Sequence, residues 1–260
     1  MVKICNEKFI SSRELELQPY FENYSFPLSN FQKYSIEAIT QGDHVLVNVP
    51  TGSGKTLCGE FAIEHFTKLG KKVIYTCPIK ALSNQKYHDF TNQYPHLSIG
   101  LLTGDIKTNP DGNVLIMTAE ILKNKLFQVN PNTDFDIDIN NELGCVVMDE
   151  VHYINDKERG RVWEETIMML PQHVQLVMLS ATLDKPDQFA KWVEHKGNYE
   201  NIPIKQVYLT PNVKRIVPLK HYFFMTNSND IYKKMKDKIA EKQIRSLNNQ
   251  FLLIFAKTSK

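Results

Sequence analysis

Cysteine is scarce in this chain and scattered. Cys5, Cys58, Cys77 and Cys145 lie far apart, and no two have the spacing of a metal-ligand pair. They read as reduced, mostly buried thiols of a reducing compartment, whether cytoplasm, nucleus or a virion interior. Long apolar runs are missing as well. No stretch approaches the ~18 residues of a membrane span, and the first thirty residues carry charges throughout. Neither a membrane segment nor secretion is expected. Charge excess is absent too: 31 Lys and Arg stand against 29 Asp and Glu, a net charge of +2. Any hold on a nucleic acid must therefore come from local groups. Internal repeats and low-complexity segments are also lacking. What remains is 260 residues, 42% hydrophobic and 10% aromatic. That content excludes disorder, and the length suits one large domain or one and a half smaller ones.

Short apolar runs recur along the chain at Val45–Val49, Val73–Cys77, Val114–Thr118, Cys145–Asp149 and Val174–Ser180. They are rich in Val, Ile and Leu without polar alternation, as strands buried on both faces of a parallel sheet are. Helix candidates lie between them at Lys55–Leu69, Lys80–Tyr94, Glu120–Phe127, Glu158–Leu170 and Pro186–Glu194. Strand, helix, strand in repetition predicts an α/β fold with right-handed crossovers. Asn130–Asn141 is polar and acidic and reads as a surface connection. Near residue 200 the rhythm changes. Strand candidates Ile202–Leu209 and Leu219–Phe224 are followed by a basic helix candidate, Ile231–Ser246, and a last strand, Phe251–Ala256. The expected division is an extension at 1–27, a first domain at 28–210, and a linker with the beginning of a second domain at 211–260.

Val49-Pro-Thr-Gly-Ser-Gly-Lys-Thr56 follows one buried strand and opens a helix. Gly52, Ser53 and Gly54 let the backbone curl so that successive N–H groups face one anion, and the helix adds its positive end. Lys55 would reach β and γ phosphates, and the Thr56 hydroxyl would ligate Mg²⁺. The general pattern begins with Gly, where this chain has Val49. An ordinary Gly-rich turn capping a helix is the plain alternative. A second strand ends in Val146-Val-Met-Asp-Glu-Val-His152. Asp149 could hold the metal shell, and Glu150 could take a proton from an attacking water. Alone, the same two acids could be a helix cap and a dipole-complementing charge. His152 and the Ser180-Ala-Thr182 turn are informative only together.

Asp149-Glu-Val-His152 and Ser180-Ala-Thr182, downstream of Thr51-Gly-Ser-Gly-Lys-Thr56, resemble the DExH-box helicases of superfamily 2. Pro78-Ile-Lys-Ala-Leu-Ser-Asn-Gln-Lys86, Thr103-Gly-Asp105 and Met117-Thr-Ala-Glu-Ile-Leu122 resemble that superfamily's nucleic-acid-facing motifs. His152-Tyr153, Asp156-Lys-Glu-Arg-Gly160 and Trp163-Glu-Glu165 are similar to the signature of its exosome-cofactor, superkiller-type branch. Arg215, Pro218-Leu219 and His221-Tyr222 resemble that branch's link into its second domain. The resemblance runs from about Leu28 to Tyr222.

The resemblance implies a RecA-like P-loop NTPase domain, a parallel sheet flanked by helices, followed by the truncated start of a second RecA-like domain. It implies ATP and Mg²⁺ as cofactors. Phe31 and Gln32 would lie on the adenine side, although Gln32 by itself reads as a surface helix residue. Val49, Pro50, Thr51, Gly52, Ser53, Gly54, Lys55 and Thr56 would hold the phosphates, Thr56 and Asp149 the metal. Lys55, Asp149 and Glu150 would act in catalysis. His152, Ser180 and Thr182 would couple the nucleotide state to strand movement. Pro78, Lys80, Thr103, Gly104 and Thr118 would lie along single-stranded RNA. Short hydroxyls, backbone N–H groups and one lysine suit phosphate contacts that position without reading sequence. Lys80 as a solvated helix-start lysine stays open.

The implied activity is ATP-driven 3′-to-5′ translocation on RNA and its unwinding, with RNA-degradation machinery as the family's partner. A DNA helicase of a neighbouring branch and a non-catalytic nucleotide- or RNA-binding module are the alternatives. The Asp156–Arg159 charges read as structural, orienting Trp163 and the acidic motif. The basic helix candidate, with Asp230, Asp237 and Glu241 interleaved, reads as a solvated face. The second-domain arginine fingers of the family have no counterpart within 1–260, so the chain alone is expected to turn over nucleotide poorly.

Overall fold

The computed structural model describes residues 1–6, 8–127, 137–181, 183–196, 204–210, 221–222 and 252–253. Two compact units divide the chain, Met1–Val213 and Lys214–Lys260.

In the first unit every apolar run expected as a strand is one. They are β2 (His44–Asn48), β3 (Lys72–Cys77), β6 (Val114–Thr118), β7 (Leu143–Met148) and β8 (Gln175–Ser180). β1 (Lys3–Ile4), β4 (Ile99–Leu102), β5 (Lys107–Thr108) and β9 (Val207–Thr210) complete a nine-stranded sheet of order β1-β9-β2-β8-β7-β3-β6-β4-β5. All neighbours are parallel except β4 and β5. Ile204–Gln206 precedes β9 without being part of it, so the strand starts later than its apolar pattern suggested.

The runs lack polar alternation because both sheet faces are covered. Val45, Val47, Cys145, Val147, Val177 and Leu179 point into one core, and Leu46, Val146, Met148, Leu176 and Met178 into the other. The first core lies under α1 (Glu14–Phe21), α2 (Asn30–Gln41), α3 (Thr56–Lys68) and α4 (Lys80–Gln93). The second lies under α5 (Ala119–Leu126), α6 (Gly160–Met169) and α7 (Pro186–Glu194), with Trp163 fully buried.

Residues 1–27 build on the same unit. Cys5 N–H donates to the Leu209 carbonyl at 2.8 Å, extending β1 along β9. Phe9 packs edge-on against Phe21 and Tyr34 at 5.6 and 4.9 Å, joining α1 to α2. In the second unit, β10 (His221–Tyr222) pairs in parallel with β11 (Leu252–Leu253). The link residues 211–220, the basic stretch 231–246 and Thr182 lie outside the described residues.

Candidate nucleotide site and nucleic-acid face

Sheet order sorts the candidate residues into two adjoining groups. β2, β8 and β7 are neighbours: the Gly-rich loop follows β2, Ser180 ends β8, and Asp149-Glu150 follow β7. β3, β6 and β4 are the next three neighbours, and their ends carry Pro78 and Lys80, Thr118, and Thr103-Gly104. Every one of these strands is parallel, so all their carboxyl ends fall on one edge, where open α/β sheets bind ligands.

The loop from Val49 to Thr56 bends through two left-handed glycines, Gly52 at φ +84° and Gly54 at φ +83°. A Cβ at Gly52 would meet nothing within 4 Å, which leaves the outer side of the loop open to a ligand. One at Gly54 would stand 3.0 Å from Gln32 Nε2. Gln32 ties two elements together: its Oε1 accepts from Ser29 N–H at 2.9 Å, and its Nε2 donates to the Gly54 carbonyl at 3.2 Å. It is buried in this arrangement, not a surface helix residue. Phe31 beside it belongs to the first core and is only 6% exposed.

Lys55 is buried, and its Nζ donates to Glu150 Oε1 at 3.0 Å. Glu150 is held out of line with its strand by a left-handed backbone, φ 54° and ψ 45°, a conformation unusual for a residue with a Cβ. His152 Nδ1 lies 3.2 Å from its other carboxylate oxygen. Asp149 is buried with both oxygens engaged. Oδ1 accepts the Glu150 N–H at 2.9 Å, and Oδ2 accepts the Tyr75 hydroxyl at 2.7 Å. Burial pushes the Asp149 carboxyl above its ordinary value, opposed by the Tyr75 hydrogen bond and by Lys86. Burial likewise pushes the Tyr75 phenol far up, so it stays a donor.

Three of the candidate residues, Val49, Thr103 and Thr118, are buried. Val49 is fully buried and its N–H donates to the Ser180 carbonyl at 3.1 Å. Sheet pairing thus runs one residue past β2. Thr103 is buried, its hydroxyl accepting the Ile106 N–H at 3.2 Å, and Thr118 is the buried N-cap of α5. The Thr103 hydroxyl shapes its turn, whereas Lys80 and Gly104 are exposed. The Lys80 ammonium pairs with Asp105. Ser180 Oγ is buried without a hydrogen-bond partner among the described residues. In the Asp156 turn, Oδ1 accepts the N–H groups of Glu158 and Arg159, and Arg159 Nε reaches Glu120 Oε1 at 2.9 Å.

The sequence reading did not single out Tyr75. Its place inside an apolar run disguised it as core, and only the β3–β7 register brings its hydroxyl to Asp149.

The DEAD/DEAH box helicase family model matches residues 29–189. The chain is 42% identical over 215 residues to the antiviral helicase SKI2 of Saccharomyces cerevisiae, covering 83% of this chain and 16% of that protein. It is 44% identical over 211 residues to mouse superkiller complex protein 2, with 81% and 16% covered. With the ATP-dependent RNA helicase mtr4 of Schizosaccharomyces pombe it shares 40% over 214 residues, with 82% and 18% covered. The chain thus spans about a sixth of the length of these relatives. With the family model matching residues 29–189 of 260, this chain belongs to the DEAD/DEAH box helicase family.

Proposed function

We propose that this chain is the ATP-binding part of an RNA helicase, which couples ATP hydrolysis to 3′-to-5′ movement on RNA and to its unwinding. One observation carries the reading: Lys55 and Glu150 meet at 3.0 Å on one half of a sheet edge whose other half presents Lys80 and Gly104. Residues 211–260 would begin the second RecA-like domain. Likeness to a protein named for a superkiller complex supports RNA-degradation machinery as partner.

In this reading Lys55 leaves Glu150 for the β and γ phosphates, and the open side of Gly52 receives them. Glu150, released, takes a proton from water as the water oxygen attacks the γ phosphorus. The bond to the bridging oxygen breaks, and ADP departs with its electron pair. Thr56 and Asp149 are the residues that would hold Mg²⁺. Among the described residues no three His, Cys, Asp or Glu side chains cluster as a cage. Such a donor set fits an ion held mostly by phosphates and water. When bound, the ion neutralises charge on the transferring phosphoryl group.

The test measures thermal protection of the 260-residue chain by Mg-ATP, and competition between matched RNA and DNA strands. Protection that is lost in Lys55→Ala, with RNA preferred over DNA, is the expected result. No protection of the unaltered chain would sink the nucleotide reading, and equal competition by DNA would sink the RNA assignment.

A further inference from the structure

Two neighbouring carboxylates each have a lysine of their own. Glu150 is paired with Lys55 of the Gly-rich loop. Asp149 faces Lys86 of α4, whose Nζ stands 3.9 Å from Oδ2. That ammonium is seated over two aromatic rings, 5.8 Å from the centre of Tyr75 and 5.5 Å from that of Phe90. Ring quadrupoles attract a cation at such distances, so Lys86 is held in place independently of the carboxylate. Tyr75 then does two things: its ring face seats the lysine, and its hydroxyl donates to the same oxygen the lysine approaches. The remaining oxygen of Asp149 is oriented by the backbone N–H of Glu150.

We propose that Lys86 and Tyr75 are positioning residues for the metal-binding carboxylate. Lys86 is the counter-cation of Asp149 in the resting chain and competes with the divalent ion for it. Tyr75 keeps the carboxylate aimed while one cation replaces the other. The inference rests on the reading of Asp149 as a metal-binding residue. It adds a physical link across the sheet edge: Lys86 lies on the helix whose first residue is Lys80, on the nucleic-acid side of the boundary between β7 and β3. A metal that takes over the charge of Asp149 therefore loosens a restraint on α4.

Competition and aiming predict opposite signs, which loss of packing does not. The experiment titrates Mn²⁺ into the 260-residue chain with saturating ADP and reads free Mn²⁺ by electron paramagnetic resonance. Lys86→Met keeps the stem over the rings and removes the charge. Deleting a cation about 4 Å from the ligand oxygen should tighten Mn²⁺ by about tenfold. Lys86→Arg should restore the wild-type constant. Tyr75→Phe keeps the ring and removes the orienting donor, so it should weaken Mn²⁺ by about tenfold, as loss of outer-shell partners does. Overturning results are an unchanged constant in Lys86→Met, or equal weakening in Lys86→Met and Tyr75→Phe. If the unaltered chain binds no Mn²⁺ with ADP, the metal reading of Asp149 fails, and this inference with it.

Discussion

Replacing Glu150 by Gln should make the unliganded chain less stable and its hold on ATP tighter. In the resting site Lys55 and Glu150 are 3.0 Å apart, with side chains only 8% and 24% exposed. At an effective dielectric of 20, two unit charges at that distance attract by about 5–6 kcal/mol. Gln keeps an acceptor oxygen, and a hydrogen bond to a charged donor retains roughly 1.5–3 kcal/mol. Partial re-solvation of Lys55 recovers part of the rest, leaving a loss of about 1–2 kcal/mol. For a domain of this size each kcal/mol lowers the thermal midpoint by ~2–4 °C. The same 1–2 kcal/mol no longer opposes transfer of Lys55 to a phosphate, so ATP affinity should rise by about 5- to 30-fold. Thermal unfolding without nucleotide and calorimetric titration with Mg-ATP measure the two effects separately. A variant that melts with wild type and binds ATP no tighter would refute the claim that Glu150 restrains Lys55. Weaker binding would mean that the carboxylate itself helps to hold nucleotide.

Gly54→Ala should lose nucleotide affinity by about tenfold and cost about 1–2 kcal/mol of stability, because its backbone is left-handed. Its new methyl group would also press on Gln32 Nε2. Wild-type nucleotide binding by that variant would show that the loop is not set by this contact. Trp163→Ala should cost about 3–5 kcal/mol in urea denaturation, since the side chain is fully buried. Trp163→Phe should cost much less, because the indole N–H has no hydrogen-bond partner among the described residues; equal losses would reveal a partner for it. His44 is buried, accepts the Leu176 N–H on Nδ1 at 3.0 Å, and is held by burial well below its ordinary value of 6.5. The unfolded chain therefore binds a proton that the folded chain refuses. Stability contributed by the neutral ring is intact above about pH 6.5 and falls by up to ~1.4 kcal/mol per pH unit below it. His44→Asn keeps an acceptor and should flatten that acid limb; an unchanged limb would assign it to other groups.

The strands at β2, β3, β6, β7 and β8 were legible because burial on both faces leaves no polar alternation, and apolar runs of that kind are rare outside buried sheets. The loop around Lys55 and the pair Asp149-Glu150 stood out because each is a run of particular residues in consecutive order at the end of an apolar strand. β4 was not, although all its residues are buried, for Ile99–Leu102 is too short a run to stand apart from its flanks. α1 was hidden for a similar reason, with only Leu17 and Phe21 buried along eight residues.

The sequence by itself determined the class of fold, the order of its elements and which residues carry charge at the ends of which strands, because these depend on local pattern. Only the tertiary structure decided who meets whom. Lys55 and Glu150 are 95 residues apart, Tyr75 and Asp149 are 74 apart, and Gln32 and Gly54 are 22 apart. Such distances along the chain are closed by strand order and register, which no local pattern encodes. The same closure carried sheet pairing past β2, where Val49 N–H meets the Ser180 carbonyl, and set the Thr103 hydroxyl to accept the Ile106 N–H, since buried backbone groups need partners inside the protein.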